Sequence, residues 1–126
     1  MSIYPTLRYT DAKAAIAFLT NTLGLIEEHV STADDGSIGH AELSWDGGVV
    51  MLGTRAGTSD PFDTGRAVLY LAVDDVDAHH DRAVAAGTEI VYGLTDQPYG
   101  SREYAARDPE GNIWSFGTYR PAIRAS

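Results

Sequence analysis

The strongest constraint on this chain is that it runs through the same order of elements twice. In the first half, residues 3–9 read as a strand and "TDAKAAIAFLTNTLG" (10–24) reads as a helix. Thr10 or Asp11 can cap its start, Gly24 ends it, and Ile16, Leu19 and Leu23 form an apolar stripe. "LIEEHVST", "SIGHAELSW" and "GVVMLGT" follow as strands, the last two joined by Asp46-Gly47-Gly48, a hairpin signal. In the second half "GRAVLYLAV" is a strand and "DDVDAHHDRAVAAG" (74–87) a helix ended by Gly87. "TEIVYGL", "SREYAAR" and "NIWSFGTY" are strands, the last two meeting across Asp108-Pro109-Glu110-Gly111. A shift of 63 or 64 residues overlays the halves, and each reads as β-α-β-β-β.

The 126 residues therefore form one α+β domain, 1–126, of two tandem modules. Module 1 spans about 1–54 and module 2 about 66–120. Between them "RAGTSDPFDTG" (55–65), rich in Gly, Ser, Thr, Asp and Pro, is the linker. Eighteen acidic against nine basic residues give a net charge of −9, which disfavours nucleic acid and anionic membranes as partners and mildly favours cationic ligands. The absence of cysteine excludes disulfides, zinc thiolate sites and thiol catalysis. No apolar run approaches membrane-spanning length and no basic-then-apolar signal pattern opens the chain, so the expected location is cytoplasmic.

The duplicated pattern, the helix "TDAKAAIAFLTNTLGL", the segment "LAVDDVDAHHDRAVAAG" and the closing "DPEGNIWSF" resemble the vicinal oxygen chelate superfamily. That superfamily includes glyoxalases, bleomycin-resistance proteins, fosfomycin-resistance enzymes and extradiol dioxygenases. The resemblance covers roughly residues 3–120 and implies curved mixed sheets around a cavity, with the helices outside. It is specific for the fold and not for the function, which must be argued from the site.

Alternation along the strands then assigns side chains to the cavity or to the core beneath the helices. Ile3, Pro5, Leu7 and Tyr9 are expected in the core, leaving Tyr4, Thr6 and Arg8 for the cavity. Leu43 and Trp45 go to the core, leaving His40, Glu42 and Ser44; Val50 and Leu52 leave Val49 and Met51. In the second half the cavity is assigned Arg66, Val68, Tyr70, Ile113 and Ser115, with Trp114 and Phe116 under a helix; by the repeat, Arg102 and Tyr104 also face in, and Glu103 faces out. The helical His79 and His80 are adjacent, point apart and cannot chelate together.

Metal-using relatives hold a divalent cation with His and Glu side chains on the first and last strands of each module. The resemblance places those positions at Tyr4, Met51, Val68 and Ser115. Imidazole and carboxylate are what such cations require, and none of the four supplies either. No metal and no cofactor is therefore expected.

The expected ligand-binding set is Tyr4, Arg8, His40, Glu42, Met51, Arg66, Tyr70, Arg102, Tyr104 and Ser115. Tyrosines offer an aromatic wall, arginines a clamp for an anion. The expected function is metal-free binding of a small molecule, in the manner of the bleomycin-resistance branch, sequestering an aromatic or cationic antibiotic-like ligand. The alternative is a lyase or isomerase using His40 and Glu42, two apart on one strand, or cavity tyrosines as acid–base groups. A metal enzyme with ligands elsewhere and a degenerate regulatory or structural relative remain open. Exposed strand edges further predict a homodimer.

Overall fold

The computed structural model describes residues 1–57 and 59–124. Thr58 of the predicted linker and the last two residues of the 1–126 domain lie outside them. The chain divides into two compact units, the first being residues 1–67 with 108–112, the second residues 68–107 with the chain from Ile113 onward. No helix among the described residues is long and apolar enough to cross a membrane.

The first unit contains β1 (Thr6–Tyr9), α1 (Ala12–Ala17), a π-helical turn (Phe18–Thr22), β2 (Ile26–Thr32), β3 (Ile38–Trp45) and β4 (Gly48–Thr54). Its sheet has the order β1-β4-β3-β2, with β1 parallel to β4 and the other pairs antiparallel. Leu7, Tyr9, Ala41, Leu43, Val50 and Leu52 are buried on one face, together with Ala12, Ala15 and Ile16 of α1. The Asp11 carboxylate caps α1 by accepting the Ala14 N–H at 3.0 Å. Asp46 and Gly47, with φ of 46° and 87°, make the two-residue hairpin loop between β3 and β4. Ile3 and Pro5, expected in the core, are exposed because the strand begins only at Thr6.

The second unit contains β5 (Val68–Ala72), α2 (Val76–Ala85), β6 (Glu89–Asp96), β7 (Arg102–Arg107) and β8 (Ile113–Gly117). Its sheet repeats the arrangement as β5-β8-β7-β6. Both units are thus four-stranded mixed sheets with one main helix, an α+β design in β-α-β-β-β order.

The offset between the halves is not constant, and this decides which side chains share a face. Thr6 pairs with Met51 and Tyr70 with Ser115, a step of 64 on both strands. Glu42 pairs with Met51, whereas Ala105 pairs with Ser115, so β3 maps onto β7 with a step of 63. Two single-residue insertions account for the change. In the first half the Leu23 N–H reaches back five residues to the Phe18 carbonyl at 3.2 Å, adding one residue to the helix. The helix caps Asp11 and Asp75 are therefore 64 apart, but Gly24 and Gly87 only 63. In the second half the Asp108 N–H bonds the Asn112 carbonyl at 2.9 Å, closing three residues, 109–111, where the first half has two.

A displacement of one residue exchanges the faces of a strand. A step of 64 from His40 lands on Tyr104; the observed step lands on Glu103. Tyr104, expected in the cavity, is instead fully buried under α2, stacked on Phe116 at 5.4 Å between ring centroids, and its hydroxyl is hydrogen-bonded to the His79 ring. Burial raises its phenol above the usual range. Arg102 is likewise drawn to the helix side, where it donates to Asp77 of α2 at 2.7 Å and to Asp96 at 3.1 Å. Glu103, expected to face outward, joins Ser115 and Gly117 on the open face.

In the first unit, the 108–112 turn is fastened by a buried carboxylate. The Tyr9 hydroxyl donates to Asp108 Oδ2 at 2.7 Å, and the Asn112 amide to the same oxygen at 3.0 Å. Asp108 Oδ1 accepts the backbone N–H groups of Glu110 and Asn112. Glu110 in turn accepts the N–H groups of Thr10 at 2.7 Å and Asp11 at 2.8 Å. Burial, and then the Asp108 contact, raise the Tyr9 phenol far above its usual value of 10.0. Replacing Tyr9 by Phe leaves Asp108 short of a donor and should cost about 1–3 kcal/mol in urea unfolding. The sign of the pH effect follows from the raised value. The unfolded phenol loses its proton first, so Tyr9 draws stability away as pH climbs above 10.0. The Tyr9→Phe variant should lose less stability over that alkaline interval than the parent chain.

Candidate functional site

Each sheet buries one face beneath its helix and leaves the other open, and the chemistry-bearing side chains collect on the open faces. On the first sheet the pairing places Arg8 beside Gly53, Thr6 beside Met51, and Met51 beside Glu42. His40 and Glu42 meet directly, Nε2 to Oε2, at 2.8 Å, both partly exposed. The ring of His29 lies 6.3 Å from that of His40. Of the expected set, Arg8, His40, Glu42 and Met51 therefore share a face. Tyr4 lies exposed ahead of β1, and Arg66 is exposed beside the 108–112 turn. Gly111, at φ 93°, leaves the room that the Arg66 guanidinium occupies.

Arg8 is engaged by the predicted linker, which in the first unit is folded back rather than left as a free tether. Arg8 Nη1 donates to Asp63 at 3.2 Å and lies 3.7 Å from Asp60, with its guanidinium 5.6 Å from the Phe62 ring centre. The other oxygen of Asp63 accepts the N–H groups of Ala56 at 2.8 Å and Gly57 at 2.7 Å. These backbone donors, Gly57 foremost, hold the Asp63 carboxyl below the usual range. Arg8 and Phe62 thereby border an open pocket with Ala56, Gly57, Ser59, Asp60 and Pro61.

On the second sheet, Tyr70 pairs with Ser115, Ser115 with Ala105, and Ala105 with Tyr92. The opening left by the small Ser115 side chain is used by Tyr92, whose hydroxyl lies 3.3 Å from Ser115 Oγ. Tyr70 donates to the Tyr119 carbonyl at 2.7 Å. Tyr99, from the turn between β6 and β7, donates to Glu103, with 2.9 Å to each carboxylate oxygen. Tyr70 and Ser115 thus come together as expected, and Tyr92, Tyr99, Tyr119 and Glu103 join them. Sequence reasoning missed these four. Comparing the two hairpin turns residue by residue would have put Glu103 on this face. Tyr92 lies between two register shifts in β6, which erase the alternation that would have revealed it.

The positions that the resemblance assigned to metal ligands carry a methionine beside Thr6, a serine beside Tyr70, an exposed valine at the start of β5 and Tyr4 outside the strand. A thioether, a lone hydroxyl and a hydrocarbon do not suit the divalent cations of this fold. Among the described residues no group of three or more His, Asp or Glu is placed to hold a metal ion. These four positions do not offer the donors that such a cation requires.

Comparison with known proteins decides the family. The model of the Glyoxalase/Bleomycin resistance protein/Dioxygenase superfamily matches residues 3–116. The chain belongs to this superfamily. An uncharacterized protein of Mycobacterium bovis is 33% identical over 124 residues, covering 92% of this chain and 82% of the relative. Among solved structures, TioX from Micromonospora sp. ML1 superposes with a TM-score of 0.79 at 35% identity, over 93% of this chain and 97% of that one. A lactoylglutathione lyase from Agrobacterium tumefaciens shares the fold, with a TM-score of 0.70 at 22% identity over 93% and 92% of the two chains.

The folded linker can be tested directly. Replacing Asp63 by Ala removes the acceptor for two backbone N–H groups and the partner of Arg8. Trypsin should then cut after Arg55 under native conditions faster than in the parent chain, with both chains showing the same secondary structure by circular dichroism. The same segment should loosen on acidification only below the ordinary carboxyl value of 3.8, because the Asp63 contribution disappears as pH falls through its lowered value.

Proposed function

We propose that this superfamily member is a small-molecule-binding protein that works without a resident metal, in the manner of the bleomycin-resistance branch. Its ligand is aromatic or cationic and antibiotic-like, and it is held on the open face of a sheet and so sequestered. The observation that carries this reading is the pairing of Met51 with Thr6 and of Ser115 with Tyr70 at the positions where metal-using relatives need imidazole or carboxylate. The tyrosines of the second sheet supply flat surface for stacking in place of a Lewis acid.

Protein purified without chelators should contain less than stoichiometric zinc, nickel, manganese and iron by elemental analysis, and its thermal unfolding should be unmoved by EDTA. One divalent ion per chain, lost on replacing His40 by Ala or Glu42 by Gln, would overturn the metal-free reading. Mass analysis of molecules recovered on the protein from a small-molecule library should find ligands bound unchanged.

The 2.8 Å contact between His40 and Glu42 favours a second reading, a lyase or isomerase in which the pair acts as acid and base. Recovery of a converted molecule, with conversion abolished and binding kept in His40→Ala, would establish it instead.

The working form in this proposal is a homodimer. Val68 and Ile26 are exposed apolar side chains on strands at sheet edges, and edge strands need cover. Light scattering at micromolar concentration should give twice the chain mass; the single-chain mass would count against it.

A further inference from the structure

Glu103 has an environment that the binding reading does not yet use. Its residue is only 6% exposed although it lies on the open face of the second sheet. Among the described residues it has no cationic partner. Arg102, next in the chain, is spent on Asp77 and Asp96, and Arg107 on the same face pairs with Glu89 at 2.7 Å. Among the described residues the carboxylate receives the Tyr99 hydroxyl alone. A carboxylate drawn so far out of water is poorly served by one phenol.

The surroundings are those of a cation receptor. Tyr99 and Tyr119 stand edge to face, with ring centroids 6.0 Å apart and planes at 82°. Both are well exposed, at 61% and 49%, and Tyr70 and Tyr92 are exposed on the same unit. Room for the cluster is made by Gly117. A side chain there would strike Glu103 Cγ and the Tyr70 hydroxyl, so both groups occupy the space it leaves. Exposed aromatic faces attract organic cations, and the attraction grows where water is excluded.

We propose that Glu103, with the rings of Tyr99 and Tyr119 and flanked by Tyr70, forms a subsite for the positively charged group of a flat organic cation. Tyr99 acts as its latch. In the empty site the phenol holds the carboxylate by its one hydroxyl, and an arriving cation takes its place while the ring remains as a wall. The strong hydrogen bond to Glu103 is also what pushes the Tyr99 phenol up to about 12. This inference rests on the small-molecule-binding reading above and names the class of its ligand.

The test titrates the protein with proflavine, a planar cation, and with acridine, its neutral analogue at mildly alkaline pH, by equilibrium dialysis. The parent chain should bind proflavine about ten-fold more tightly than acridine, the scale of one well-placed charge contact. Glu103→Gln keeps an acceptor for Tyr99 and removes the charge; it should bring the two probes within about two-fold of each other. Tyr99→Phe keeps the ring and removes the competing hydroxyl, and should bind proflavine more tightly than the parent. Should Glu103→Gln fail to fold, Tyr99→Phe decides alone, unchanged or weaker proflavine binding overturning the subsite. A preference that survives in Glu103→Gln but disappears in Glu42→Gln would also overturn it, placing the charge recognition on the first sheet. Saturable binding with no preference for the cation overturns the subsite and leaves the binding reading standing. No saturable binding of either probe overturns both.

Discussion

Successive side chains of a strand point to opposite faces, and every functional statement about these two sheets depends on that alternation. Each sheet has one face committed to a helix, so the register of a strand decides whether a given residue becomes packing or part of a surface that can meet a ligand. In the second sheet the register is set by a turn of three residues, 109–111, closed by the Asp108–Asn112 backbone hydrogen bond. With one residue fewer, as in the Asp46-Gly47 hairpin, Tyr104 and Glu103 would exchange places. A phenol would then stand on the open face and a carboxylate would face α2, where His79 and Phe116 now pack on an aromatic ring.

The turn in turn depends on a carboxylate that is buried and satisfied. Asp108 accepts hydrogen bonds from Tyr9, the Asn112 side chain and two backbone N–H groups, enough to occupy both carboxylate oxygens. A buried charge is tolerable only with such a complement of donors. Glu110, one residue past the proline, serves the backbone at the start of α1. The "DPEGN" stretch is therefore both a chain reversal and a set of acceptors for the first unit. Glu103 offers the contrast. It is as deeply buried, yet a single phenol serves it, and that difference separates a structural acid from one suited to receiving a ligand.

Much of this was legible in the sequence because it follows from short-range rules. The two β-α-β-β-β passages, the Asp11 cap, the Asp46-Gly47 hairpin and the burial of Trp114 and Phe116 all rest on residues within one turn or one strand. On the first sheet the same rules brought His40 and Glu42 to one side. A fixed offset between the halves does not hold across the third strands. That offset puts Arg102 and Tyr104 on the open face and Glu103 on the other, and the structure reverses all three. Tyr99 lies beyond any strand pattern, on a turn where periodicity carries no information, and Tyr119, read as the end of the last strand, lies past β8, which stops at Gly117. Arg8 was placed on the correct face, but its engagement by Asp63 depends on a loop closing over it, which no local rule encodes.

The extra residue in the π-helical turn has a consequence for how such a duplicated chain accumulates change. The first half carries its additional residue in the helix and the second carries one in the last hairpin, so the halves begin and end in step while the stretch between is displaced by one. Each insertion is absorbed before the next strand pairs, at a place where the backbone can widen without moving its neighbours. An alignment of the halves without a gap matches either the first and last strands or the third ones, never both.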